Sequence, residues 1–221
     1  ISEIYAEDKN DPYGSSLKLL IDKERKGFRP TLLMPVEEFA KEHVAETLSN
    51  LAIWSRDYAK KKGYKAPIIA AENLAPHNTF STADSMKGLI KEARKKTEDQ
   101  LIAKGLGIDE AKIEAEKMIG VTWDVAHINT LKKYGFEDKD IIKETEKISK
   151  FIKHVHMHDN FGQEDSHLPV GMGNVPIKKI LDVLKSEGYD GKTSLEGGAA
   201  TTLNTSDFSY SVQSLDSPIY Y

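Results

Sequence analysis

An α/β fold with parallel strands is the class this sequence predicts, on three observations. Short, nearly continuous apolar strands alternate with helical stretches, as in strand–helix–strand units with helices outside a parallel sheet. Each of those strands delivers an acid or a histidine at its end. The 221 residues suffice for one sizeable domain with a core of its own.

The elements follow in order. Residues 36–63 read as one amphipathic helix, with Phe39, Val44, Leu48, Leu51 and Tyr58 recurring near the helical period and Gly63 as its stop. Ala66–Asn73 is a short apolar strand carrying Glu72. Ser81–Gly105 and Asp109–Met118 are charged helical stretches, longer than a plain connection, and are expected to cap one end of the domain. Ile119–Ile128 is the second strand with Asp124 and His127 at its end, and Asp138–Lys150 is a helix. Phe151–Asp159 is a strand in which His154, His156 and His158 alternate with Val155 and Met157, placing imidazoles on one face. Pro176–Gly188 is a helix with Pro in its first turn, and Gly191–Gly198 a last strand holding Glu196. The Ser/Thr-rich tail, residues 199–221, shows no period and reads as a surface wrap. Residues 1–35 carry turn chemistry and no confident strand, so the chain reads as a single domain, 1–221, best defined between those ends. It begins at Ile1 rather than Met, and an upstream segment is expected to be missing or processed.

Composition excludes several classes. A net charge of -4 gives no whole-protein attraction to nucleic acid or anionic membranes. With no cysteine, disulfides, thiolate metal sites and a thiol nucleophile are ruled out. No apolar run approaches the ~20 residues that cross a bilayer, and no signal pattern opens the chain. A cytoplasmic protein is expected. Exposed helices and the loose tail suit a homodimer.

Ligand sites of parallel α/β folds sit at the carboxyl ends of the strands. Glu72, Asp124, His156 and Glu196, from four successive strand ends, supply the carboxylate oxygens and neutral imidazole that divalent cations take. His127, Asp165 and His167 are placed for a second cation or the substrate. His154 reads as an interior filler or a support behind the ligands, and His158 as a residue orienting a ligand. His43 and His77 read as surface residues. Trp54 and Trp123 read as packing residues, Trp123 also fixing Asp124. Gly171-Met172-Gly173 is a turn before a helix.

Together, Ala70-Ala71-Glu72-Asn73, Trp123-Asp124-Val125-Ala126-His127, His156-Met157-His158-Asp159-Asn160, the run Asp165 to Gly173, and Ser194-Leu195-Glu196-Gly197-Gly198 resemble the xylose isomerase-like TIM-barrel superfamily. That superfamily includes sugar and sugar-phosphate isomerases and epimerases and the family 2 apurinic endonucleases. The resemblance implies a (β/α)8-type barrel whose N-terminal strands are missing or divergent here. It implies metal ligation by Glu72, Asp124, His156 and Glu196, with His127, Asp165 and His167 as further metal or substrate contacts. It also implies a sugar or sugar-phosphate isomerase or epimerase of carbohydrate metabolism, working through an enediolate with Glu72 and Glu196 as the proton-transferring pair. Mn, Mg or Co is expected at such a site. The alternative is an apurinic endonuclease-like phosphodiesterase acting on DNA, with several Zn ions.

Overall fold

The structure, a computed structural model, describes residues 35–198 and 207–216. The reading of residues 1–35 as turn chemistry with no confident strand therefore lies, but for Pro35, outside the described residues. Among those described, four strands form one sheet: β1 (Ile69–Glu72), β2 (Ile119–Asp124), β3 (Ile152–Met157) and β4 (Lys192–Leu195). They lie in the order β1-β2-β3-β4, and every pair is parallel. Sequential neighbours joined by helical crossovers are the strand order found in the wall of a (β/α)8-type barrel, whereas a doubly wound sheet reverses its order. The α/β class and the parallel pairing expected from the sequence hold.

The first described helix, α1 (Val36–Lys62), has acids in its first turn and Lys60, Lys61 and Lys62 in its last, matching the helix dipole at both ends. Gly63 ends it at φ +73°, a left-handed conformation that glycine adopts without steric cost. Its buried face is not the expected one. Ala45, Ser49, Ala52, Ile53, Ser55 and Ala59 face inward, while Phe39 (54% exposed), Leu51 (43%), Trp54 (62%) and Tyr58 (48%) face outward. Val44 and Leu48 are half-buried against the core. The helix lies chiefly against α2 (Ala83–Ala103), and small residues let two helices approach closely. Trp54 is thus no packing residue, whereas Trp123 is fully buried and donates Nε1–H to Thr145 Oγ1 at 3.0 Å.

The stretches expected as a cap instead form the crossover between β1 and β2. Helix α2 starts with a Thr82–Ser85 capping box, and Glu144 Oε2 accepts Ala83 N–H at 2.8 Å. Its buried Met86, Leu89 and Ile90 join the core, and α3 (Ile108–Met118) feeds directly into β2. Beyond β2 come the short α4 (Val125–Asn129), a 3-10 turn at Thr130–Tyr134, and α5 (Asp138–Ile148), again with a capping box. After β3, Asp159 ties the following loop together. Its carboxylate accepts backbone N–H groups of Asn160, Gly171 and Val175 at 2.9–3.0 Å, and its backbone pairs with Leu168. Gly173 sits so close to Asn160 O and Asp159 Oδ1 that a β-carbon would collide with both. That turn leads into α6 (Ile177–Ser186). Residues 207–214 of the tail form a helix, α7 (Asp207–Ser214), where no period was expected. Ser211 anchors it by accepting Val170 N–H at 2.9 Å.

Candidate metal centre and active site

Register puts the predicted residues on one face. Asp124 pairs with His156, and His156 with Ser194, so Glu196 follows on the same side two residues further on. Glu72 pairs with Thr122, two residues before Asp124. One ligand atom from each of Glu72, Asp124, His156 and Glu196 lies within 4.8 Å of every other. His156 Nδ1 is the hub: Glu72 Oε1 is 3.2 Å away, Glu196 Oε2 3.0 Å and Asp124 Oδ2 3.9 Å. An imidazole nitrogen has one hydrogen to give, and here Glu72 accepts it. The buried Glu196 Oε2 is left without a hydrogen bond.

Asp124 is fully buried and divides its oxygens between two tasks. Oδ1 accepts Ala126 N–H and His127 N–H at 2.8 Å each, capping α4, while Oδ2 accepts from His158 Nε2 at 3.0 Å. Burial alone raises a carboxyl pKa, but the His158 bond and the neighbouring His127 outweigh it and hold this one low. Asn73, also fully buried, fixes the strand end. Its side chain accepts Asp124 N–H at 2.7 Å and donates to Asp124 O at 3.1 Å.

His127, His158, Asp165 and His167 form a second group within 4.8 Å. His127 Nδ1 donates to Asn73 O at 2.7 Å, which turns Nε2 toward Asp165 Oδ2 at 3.0 Å. His167 Nε2 meets the same oxygen at 3.1 Å. Burial lowers a histidine pKa, but the Asp165 bond and the charge of Asp124 win and lift His127 to about 9. For Asp165 burial acts upward, and His127 together with its neighbours pulls the carboxyl down to about 2. His167 has φ +49°, a left-handed conformation rare outside glycine and a form of strain that gathers at functional sites.

Of the residues read from the sequence, the first four are brought together as one group. His127, Asp165 and His167 meet in the other, joined by His158. His154 belongs to neither group: it pairs with Ser194 Oγ at 2.6 Å and stands edge-on to His156 at 5.2 Å. His43 and His77 are exposed. Asn73 was missed, although it directly follows Glu72 and an amide beside a strand-end acid is a usable signal.

The donors suit a divalent cation. Three carboxylates converge on one imidazole, and a buried oxygen among them has no hydrogen to accept. In the second group the fixed Nδ1–H of His127 leaves Nε2 as the nitrogen that would take a cation, as for metal-bound histidines whose other nitrogen donates to a carbonyl.

A family model described as xylose isomerase-like TIM barrel matches residues 109–214. That stretch is xylose isomerase-like. It includes every residue of both groups except Glu72. An uncharacterised protein of Methanocaldococcus jannaschii is 39% identical over 80 residues, which span 36% of this chain and 26% of that protein. Among solved structures, a D-tagatose 3-epimerase-like protein is 18% identical with a TM-score of 0.43, over 92% of this chain and 85% of that one.

Proposed function

We propose that this chain is a divalent-metal-dependent isomerase or epimerase of a small sugar or sugar phosphate. The observation that carries the reading is the meeting of Glu72, Asp124, His156 and Glu196 at the carboxyl ends of consecutive parallel strands. These four would hold the cation, and three oxygen donors with one imidazole favour Mn, Mg or Co. Once bound, the cation supplies Lewis-acid polarisation of a substrate carbonyl, worth several kcal/mol in general.

The rest falls to the protein. Glu72 ends β1 and Glu196 follows β4, so two carboxylates come from opposite edges of the sheet toward one point. One takes the proton from the carbon beside the carbonyl. The other delivers a proton to the neighbouring carbon for isomerisation, or to the opposite face of the same carbon for epimerisation. Asp124 and His156 stay as holders: Asp124 Oδ1 accepts the α4 backbone N–H groups and Oδ2 accepts from His158, while His156 turns Nδ1 toward Glu72, Glu196 and Asp124. The planar enediolate between the two steps needs a site with little room for water, and Asp124 supplies a fully buried floor.

A second reading, a multi-zinc phosphodiesterase acting on DNA, is favoured by one observation. In the second group the two imidazoles of His127 and His167 with the Asp165 carboxylate are the kind of donor set that zinc takes, and they are surplus to a one-metal isomerase. The net charge of -4 weighs against a DNA partner.

The test is a panel of ketoses, aldoses and their phosphates in deuterated water with the metal-loaded chain. Wild type is expected to place solvent deuterium on substrate carbon, and Glu196→Gln to lose about 100-fold or more of that exchange. Full turnover in Glu196→Gln with metal retained removes the proton-transfer assignment. Cleavage of abasic DNA with no sugar exchange selects the second reading.

A further inference from the structure

We infer that His158 couples the two groups, so that a cation held by one sets the affinity of the other for a second cation. The inference rests on the cation-binding reading above.

His158 is 1% exposed and lies just past the end of β3. Its Nε2 bonds Asp124 Oδ2 of the first group at 3.0 Å. The same nitrogen is 3.6 Å from Asp165 Oδ1 of the second group. Its ring stacks on His167 at 4.1 Å and meets the edge of His127 at 5.8 Å. His127 also approaches the first group, at 3.7 Å from Glu72 Oε1, but its two nitrogens are already engaged by Asn73 and Asp165. His158 is engaged differently. With its Nε2 hydrogen given to Asp124, its Nδ1 is buried without any partner. Among the described residues, the bond to Asp124 is the hydrogen bond that orients it.

Asp124 serves both sides as well. Oδ1 caps the helix that carries His127, and Oδ2 holds His158. A cation drawing on Asp124 fixes that carboxylate, and the fixed carboxylate fixes His158. His158 in turn supports His167 face to face and stands beside Asp165. Filling the first group therefore pre-orders the second, which lowers the ordering cost of the next ion and gives positive coupling. Repulsion between two dications opposes this. Glu72, Asp124, Glu196 and Asp165 together supply four carboxylates against it.

The experiment is a Co2+ titration of the full chain after chelation, followed by visible absorption and calorimetry, on wild type, His158→Asn and His158→Gln. Gln keeps an N–H donor near the Nε2 position, whereas Asn does not reach it. Wild type is expected to bind two ions, and His158→Asn to lose about 10-fold or more in the affinity of the second-filled ion with the first little changed. His158→Gln is expected to restore most of that loss, which a purely structural role does not explain. Two independent ions in wild type, a single ion, or His158→Asn titrating like wild type each overturn the inference. So does equal weakening of both ions in His158→Asn and His158→Gln alike. Sugar exchange is not part of the readout: two coupled ions with no activity on any sugar defeat the isomerase reading and leave the coupling standing.

Discussion

Single side chains here answer to their partners more than to their own chemistry. His127 and Asp165 shift in opposite directions because each stabilises the charged form of the other. The His127 pKa is raised from 6.5 to about 9, so its contribution to stability is full below about pH 6.5 and lost as pH rises through about 9. Asp165 is depressed to about 2, so its contribution is present above about pH 3.8 and lost as pH falls through about 2. In chelated protein the thermal midpoint is therefore expected to fall between about pH 6.5 and 9, and His127→Asn to flatten that limb. A midpoint that rises over this range contradicts the pairing. The Trp123 indole offers a simpler case. Thr145→Val keeps the volume but leaves a fully buried N–H without an acceptor, expected to cost about 1–3 kcal/mol in urea unfolding.

At the scale of elements, the strand ends were legible because each carries, at its last positions or just past them, an acid or imidazole that a sheet core does not tolerate without purpose. Glu72, Asp124, His156 and Glu196 could thus be placed without seeing any contact. Helix α1 was legible in extent and not in orientation. Its large apolar residues mark one face and its alanines another, and periodicity follows the large ones. Close packing on α2 selects the small ones instead. The contrast is measurable. Ala52→Leu inserts bulk at a position 2% exposed and is expected to destabilise by about 1–3 kcal/mol, whereas Leu51→Lys is expected to stay within about 0.5 kcal/mol. The reverse order returns α1 to the face its pattern suggests. Helix α7 escaped notice because Ser209, Ser211 and Ser214 within its eight residues suppress any apolar period. What holds it is a serine hydroxyl on Val170, a tertiary contact.

For the molecule as a whole, the parallel order β1-β2-β3-β4 is what turns scattered sequence positions into a site. Consecutive parallel strands bring their carboxyl ends to one side, so residues from 72 to 196 meet at a single sheet end. The second group was only partly legible. Asp165 and His167 were read as candidates, but His158 joins them because Asp124 holds it there, a link that crosses between strands. Among the described residues no helix is long and apolar enough to cross a membrane. Anomalous diffraction from crystals of the full chain soaked in Mn2+ bears most directly on the cation site. The expected result is a peak bound jointly by Glu72, Asp124, His156 and Glu196. A peak elsewhere, or those four side chains turned apart with none between them, contradicts the account.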